Sequence, residues 1–114
     1  MSDWRAVGEA EAIADAEPLA VQFELDERRL ELVVVRRGAA FFAVGGRCPH
    51  RGAPLSELGF IHPEDGTLIC GWHYWAFRLE DGSQTMIEGM GLGAWPTRVE
   101  GGVLQIDVAA TPHR

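Results

Sequence analysis

Two short segments combine cysteine with histidine, and they constrain this chain more than any other part of its sequence. The first contains Cys48-Pro49-His50, a C-x-H pattern, and the second contains Cys70-Gly71-Trp72-His73, a C-x-x-H pattern. A thiolate is a soft ligand and an imidazole a borderline one, so both suit iron, zinc or copper. The sequence therefore predicts one metal centre held by Cys48, His50, Cys70 and His73, with the rest of the chain as its scaffold.

Four ligands of this kind fit two centres: a tetrahedral zinc ion, or a [2Fe–2S] cluster in which two histidines replace two cysteines on one iron. The order of the ligands favours the cluster. In a zinc finger the cysteine pair usually comes first and the histidine pair follows on a helix. Here each segment supplies one cysteine and one histidine, so each segment reaches both irons. A structural zinc-binding β domain remains the alternative.

The flanking sequence predicts short β-strands separated by turns. Alternation of apolar and polar residues, as at 21–25, is typical of a half-buried strand. Asp65-Gly66 and Asp81-Gly82 are turn dipeptides. We expect one helical turn at residues 54–58, closed by Gly59. Short strands at close spacing are typical of an all-β sandwich or barrel. The predicted strands are 4–7, 21–25, 30–35, 40–44, 60–61, 67–69, 76–79, 95–99 and 103–108.

The residues around the two motifs resemble those of the Rieske iron–sulfur proteins. The first loop is C-P-H-R-G-A-P-L-S-E, and an aromatic run follows the C-x-x-H of the second. The resemblance extends from Trp4 to Val108 and is closest to the small Rieske ferredoxins of ring-hydroxylating dioxygenase and related oxygenase systems. It implies an antiparallel β-sandwich or barrel with a small inserted cluster-binding subdomain. Residues 1–114 would form a single Rieske [2Fe–2S] domain, with the subdomain at roughly 46–80.

The resemblance also implies a function, that of an electron carrier which is not itself an enzyme. One cluster per chain would accept an electron from an NAD(P)H-dependent flavoprotein ferredoxin reductase and pass it to a terminal oxygenase. Cys48 and Cys70 would hold the inner iron, and His50 and His73 the outer iron near the surface. The small Rieske subunit of a nitrite reductase-like enzyme is the alternative within the same family.

Two further positions bear on the reduction potential. High-potential Rieske proteins carry a serine and a tyrosine shortly after the second histidine ligand, and their hydroxyls stabilise the reduced cluster. The matching positions here are Trp75 and Phe77, which have no hydroxyl. The family also places a Gly-Pro loop beside the cluster, where this chain has Gly89-Met90-Gly91. The resemblance therefore implies a low potential and leaves the shape of that third loop open.

Length, charge and composition limit the classes of partner and the cellular compartment that we expect for this chain. The length of 114 residues predicts one domain, and both of its cysteines are already assigned as ligands, which fits a reducing cytoplasm. The net charge of −7 disfavours nucleic acid and anionic membrane surfaces as partners. No apolar run approaches about 18 residues, so neither secretion nor a membrane anchor is expected. We expect a cytoplasmic monomer.

The remaining candidates carry little chemistry. His62 and His113 have no cysteine at ligand spacing and are expected in solvent. No Ser-His-Asp order, Walker loop or GxGxxG motif is present. The aromatic residues expected in the core include Trp4, Phe23, Phe77 and Trp95. Trp72 lies between two predicted ligands, and the sequence leaves open whether it is exposed.

Overall fold

The computed structural model describes residues 2–49, 52–72 and 74–110. A 3-10 turn at Ala10–Ala12 and one short helix, α1 (Leu55–Leu58), accompany the strands in this part of the chain. None of the described helices is long and apolar enough to cross a membrane. The strands are β1 (Trp4–Glu9), β2 (Leu19–Leu25), β3 (Arg28–Arg37), β4 (Ala40–Gly45), β5 (Gly59–Ile61), β6 (Leu68–Cys70), β7 (Ala76–Phe77), β8 (Ala94–Trp95), β9 (Thr97–Glu100) and β10 (Val103–Asp107).

These strands form three antiparallel sheets, which confirms the predicted all-β class. Their strand orders are β1-β10-β9, β2-β3-β4-β8 and β5-β6-β7. In the chain, the third sheet falls between β4 and β8, which are hydrogen-bonded neighbours in the second sheet. Both cysteine motifs belong to this intervening stretch. Its description as a subdomain at roughly 46–80 stays a prediction.

Strand β3 is buried on both faces and separates two hydrophobic clusters. Leu32 and Val34 belong to the cluster that also contains Leu104 and Ile106 of β10. Val33 and Val35 point to the opposite side of the pleat, as successive residues of a strand must, and belong to the cluster that contains both cysteines. One strand thus supports the sheet β1-β10-β9 on one side and the metal-binding region on the other.

Most predicted strand ends differ from the observed ones by one or two residues, and three differences show what ends a strand here. Gly8 does not end β1, because the strand continues to Glu9 with a shift of register against β10 between Ala6 and Gly8. The strand predicted at 76–79 ends at Phe77. The strand predicted at 95–99 is two strands of different sheets, β8 paired with β4 and β9 paired with β10. Pro96 lies between them, and a proline has no N–H with which to continue a ladder.

Candidate metal centre

The first predicted ligand loop leaves β4 and returns close to its starting point. The N–H of Cys48 donates to the carbonyl of Ala53 at 2.9 Å, and the N–H of Gly52 donates to the carbonyl of Cys48 at 2.7 Å. Gly52 has a φ of +71°, a left-handed conformation that glycine adopts without a steric penalty. The loop is therefore closed at both ends by its own backbone.

The second loop, which follows β6, has the same pattern of closure. The N–H of Cys70 donates to the carbonyl of Trp75 at 2.8 Å, and the N–H of Tyr74 donates to the carbonyl of Cys70 at 2.8 Å. Tyr74 has a φ of +57° and so takes the place that Gly52 takes in the first loop. In each loop the cysteine bonds to the residues four and five positions later. Sequence reasoning missed this equivalence because the two motifs differ in spacing.

The two loops bring their cysteines into one apolar environment. Cys48 is 2% exposed and Cys70 is 1% exposed. Both belong to the same hydrophobic cluster, together with Leu55, Leu68 and Phe77. Residues of α1, β6 and β7 thus pack in the same buried cluster as the two thiols, which is closed to water.

The predicted histidine ligands, His50 and His73, lie outside the described residues. In sequence, each falls inside one of the two closed loops. In the part of the chain that the structure describes, no group of three or more His, Cys, Asp or Glu residues is placed to hold a metal ion. The described residues therefore offer no competing metal site.

Helix α1 connects the two loops. It begins just after the first loop, and the N–H of Leu58 donates to the carbonyl of Pro54 at 3.0 Å. The carbonyl of Leu58 in turn accepts the N–H of Gly71, in the second loop, at 2.8 Å. A Cβ atom on Gly71 would lie 2.6 Å from this carbonyl oxygen, so the close contact requires glycine. The helical turn thereby fixes the second loop relative to the exit of the first.

An arginine holds the first loop from outside. Nε of Arg47 donates to Oε2 of Glu31 on β3 at 2.7 Å, and Nη1 donates to the carbonyl of Gly52 at 2.9 Å. The hydrogen bond between the two side chains raises the pKa of Arg47 and lowers the pKa of Glu31. Sequence reasoning missed this pairing, because it depends on the register between β3 and β4.

Exposed aromatic side chains lie at and beside the second loop. Trp72 is 50% exposed, which answers the question that the sequence left open, and Tyr74 is 71% exposed. The Tyr74 ring meets the edge of Phe60, on β5, with 6.5 Å between ring centroids. The loop that carries two predicted ligands thus presents aromatic surface to solvent.

The other aromatic and histidine residues singled out from the sequence lie in different environments. Phe23 and Phe77 are buried as expected, whereas Trp4 and Trp95 are only half-buried. The Trp4 ring is covered by the guanidinium of Arg98, 4.2 Å from the ring centroid. His62 is partly exposed, and its Nδ1 accepts the N–H of Glu64 at 3.2 Å, so its role is in a turn. His113 lies outside the described residues.

The described donors fit an iron–sulfur cluster. Thiolates are the ligands that such clusters use, and here two buried cysteines belong to one apolar cluster. Burial and hydrogen bonding around the ligands are features by which a protein tunes such a centre.

Two curated relatives with similar sequences are named as ferredoxin components. The chain is 37% identical over 82 residues to the ferredoxin component of an alkene monooxygenase system from Xanthobacter autotrophicus, covering 72% of this chain and 66% of that protein. It is 38% identical over 74 residues to the ferredoxin component of a p-cumate 2,3-dioxygenase system from Pseudomonas putida, covering 63% and 60%. The matched region is thus slightly under two thirds of each relative.

Solved structures share the fold over almost the whole chain. The ferredoxin of carbazole 1,9a-dioxygenase from Nocardioides aromaticivorans superposes with a TM-score of 0.73 at 26% identity, covering 90% of this chain and 96% of that one. A Mycobacterium tuberculosis protein described as the small subunit of an NADH-dependent nitrite reductase gives 0.82 at 22% identity, covering 97% and 99%. At that identity the second likeness shows the fold alone.

The family model for the Rieske [2Fe-2S] domain matches residues 3–96, a region that contains both loops and all four predicted ligands. A match of this extent, with relatives named as ferredoxin components, also implies the cofactor. The zinc alternative therefore loses its support. The chain belongs to the Rieske [2Fe-2S] domain family, and a Rieske-type [2Fe–2S] cluster is its implied cofactor.

Proposed function

We propose that this protein is an electron carrier that transfers one electron at a time through a Rieske [2Fe–2S] cluster. The observation that carries the proposal is the burial of Cys48 and Cys70 in one apolar cluster, each at the start of a loop with the same backbone closure. Cys48 and Cys70 would hold one iron, and His50 and His73 the other. When bound, the cluster supplies the redox chemistry, and the chain supplies its position and surroundings.

The chain's own residues have two tasks in this proposal. The buried cluster around Leu55, Leu68 and Phe77 excludes water from the thiols. The exposed side chains of Trp72 and Tyr74 offer a surface on which a partner protein can approach the loop that carries His73. Among the described residues, the cysteines thus lie in a buried apolar cluster, while Trp72 and Tyr74 form an exposed aromatic surface beside it.

The partners would be a flavoprotein ferredoxin reductase upstream and a terminal oxygenase downstream. Support comes from the names of the relatives, one a component of a monooxygenase system and the other of a dioxygenase system. The protein would work as a monomer in the cytoplasm, as the composition predicts.

Ligand substitution tests the centre directly. The purified protein is expected to contain iron and acid-labile sulfide and, when reduced, to give the EPR signal of a Rieske cluster. Cys48→Ser, Cys70→Ser, His50→Ala and His73→Ala should each abolish that signal. His62→Ala and His113→Ala are the controls and should retain it. Loss of the signal in His62→Ala, with retention in His50→Ala, would contradict the assignment.

The nitrite reductase-like small subunit, the alternative that the resemblance left open within the same family, is a second candidate, and a structure described in that way has the same fold over 97% of this chain. Reconstitution separates the two functions. We expect reductase, this protein and an oxygenase to support NAD(P)H-dependent turnover that stops when this protein is omitted. Failure with oxygenases, combined with stable association with a nitrite reductase catalytic subunit, would favour the second candidate instead.

A further inference from the structure

The corner between β3 and the first ligand loop contains a charged contact outside the ligand set. Arg47 is the residue before Cys48, and its side chain turns back to the exit of the same loop. Nη1 donates to the carbonyl of Gly52 at 2.9 Å, while Nε donates to Oε2 of Glu31 at 2.7 Å. One guanidinium therefore joins the entry of the loop, its exit and strand β3.

The contact suits arginine in particular. A guanidinium has five N–H donors in a rigid planar arrangement, so it can serve two acceptors in fixed directions. A lysine ammonium is a point charge on a flexible chain and defines neither direction. Glu31 is itself held in place, because its backbone carbonyl accepts the N–H of Gly46 at 3.1 Å. The anchor for Arg47 is thus part of the sheet.

The second loop is held in a different way. There the carbonyl of Leu58 accepts the N–H of Gly71, so the contact is made by backbone atoms alone. The first loop has its own backbone closure between Cys48 and Ala53. Gly52, at its exit, is an exposed glycine with a positive φ, and Arg47 is the side chain that binds the carbonyl of that residue.

We propose that Arg47, oriented by Glu31, is a positioning residue that holds the entry and the exit of the first ligand loop in place. The inference rests on the proposed function, since it requires a cluster bound by Cys48 and His50. Arg47 holds the loop and takes no part in the redox step. Loosening this contact should let the loop that carries Cys48 adopt a wider range of conformations around a bound cluster.

The test compares Arg47→Gln, Arg47→Lys and Glu31→Gln with Arg29→Gln. Arg29 is the matched control, because it forms an exposed ion pair with Glu24 at 3.2 Å on the hairpin between β2 and β3. Two measurements are made on each loaded protein: the widths of the EPR lines of the reduced cluster, and the rate of iron release to a chelator. Thermal unfolding of each variant shows whether the fold is retained.

We expect Arg47→Gln to broaden the EPR lines and to release iron about tenfold faster, by analogy with the roughly 10–100-fold loss of metal affinity that follows removal of groups that orient metal ligands. Arg47→Lys should restore part of the loss, because it keeps the charge. Glu31→Gln should give a smaller change, because its amide oxygen still accepts a hydrogen bond. Arg29→Gln should match the wild type in both measurements.

Wild-type line widths and release rate in Arg47→Gln would overturn the proposal, as would equal changes in Arg29→Gln. If Arg47→Gln does not fold, Arg47→Lys and Glu31→Gln decide by the same two measurements, and wild-type values in both would overturn it. A wild-type protein without iron and sulfide would instead refute the proposed function. The two failures are therefore distinguishable.

Discussion

Gly52 and Tyr74 occupy equivalent places in the two ligand loops, yet only one of them is a glycine. Both have a left-handed backbone, with φ of +71° and +57°. A residue with a Cβ atom incurs a cost of about 1–2 kcal/mol in that conformation. The Tyr74 side chain is largely exposed and contacts Phe60, so burial of the ring does not explain why a tyrosine occupies this strained position.

A comparison of two substitutions measures this backbone cost. Tyr74→Ala removes the ring but keeps the Cβ atom, whereas Tyr74→Gly removes both. We expect the glycine variant to be more stable than the alanine variant by about 0.5–1 kcal/mol, since relief of the strain exceeds the greater entropy that glycine loses on folding. Thermal midpoints under identical conditions provide the measurement. An alanine variant of equal or greater stability would contradict the expectation.

The residues after the second loop lead to a prediction for the midpoint potential. Phe77 is fully buried, Trp75 is half-buried, and their ring centroids lie 6.4 Å apart, so apolar groups stand where high-potential relatives place hydroxyls. Rieske centres span about −150 to +300 mV, tuned in part by hydrogen bonds to the sulfurs. We expect a midpoint in the lower part of that range. Protein-film voltammetry giving a value well above about 0 mV would contradict this.

At the scale of elements, β3 provides a matched pair of substitutions. Val34 and Val35 are adjacent and both are 0% exposed, but they belong to different hydrophobic clusters. Val34→Ala and Val35→Ala each remove the same atoms from a packed core, so each should lose stability by about 1–3 kcal/mol. Only Val35→Ala also loosens the cluster that contains the cysteines, and it should release iron faster. Equal release rates would show that the two clusters are not independent.

Comparison of the predicted and observed elements shows which features of the fold the sequence could predict. Alternation at 21–25 located most of β2, and Gly59 correctly marked the end of α1, because these signals are local. The division at Pro96 was missed, because the residues on each side of this proline do not reveal which sheet each half joins. The pairing of Arg47 with Glu31 was missed for a related reason, since it depends on strand register. The family of the chain was predicted from the motifs and is confirmed by the family match.

At the scale of the whole molecule, Asp107 joins the two ends of the described chain. Its carboxylate accepts the N–H of Asp3 at 2.9 Å and the N–H of Ala109 at 3.1 Å. These hydrogen bonds, that from Asp3 foremost, lower the pKa of Asp107. The carboxylate therefore stabilises the fold above the unfolded-state pKa of about 3.9, and this contribution is lost as the pH falls through the lower folded-state value.

Asp107→Asn should therefore be less stable than the wild type at neutral pH, and the difference should shrink as the pH falls below about 4. Thermal midpoints between neutral and acidic pH supply the measurement. Glu27→Gln is the control, because it changes the net charge equally at an exposed turn. A difference that is independent of pH, or one shared by Glu27→Gln, would refute the role of the Asp107 charge.

Charge and exposed aromatic surface should act at different stages of partner binding. The net charge of −7 should steer encounter with a basic partner, an effect that salt screens. Trp72, 50% exposed, should act at close contact, because electron-transfer complexes have small interfaces. We expect Trp72→Ala to slow electron delivery while the EPR signal stays unchanged, and high salt to slow delivery in every variant.

The control for this experiment is Val99→Ala. Val99 is 48% exposed on β9, in a sheet that contains neither ligand loop. Steady-state turnover of a reconstituted chain of reductase, this protein and oxygenase gives the rates. Unchanged turnover in Trp72→Ala, together with no response to salt, would place the contact surface elsewhere on the molecule.

The arrangement of the two loops has a consequence for the chain as a polymer. Between Cys48 and Cys70 lie α1 and β5, with β6 ending at the second cysteine. If both thiolates bind one cluster, as we propose, this stretch becomes a closed ring. Ring closure lowers the entropy of the unfolded chain, much as a disulfide does. The cofactor would then be a covalent cross-link as well as an electron carrier. Without it, folding would have to close the segment between the two cysteines at the full cost in chain entropy.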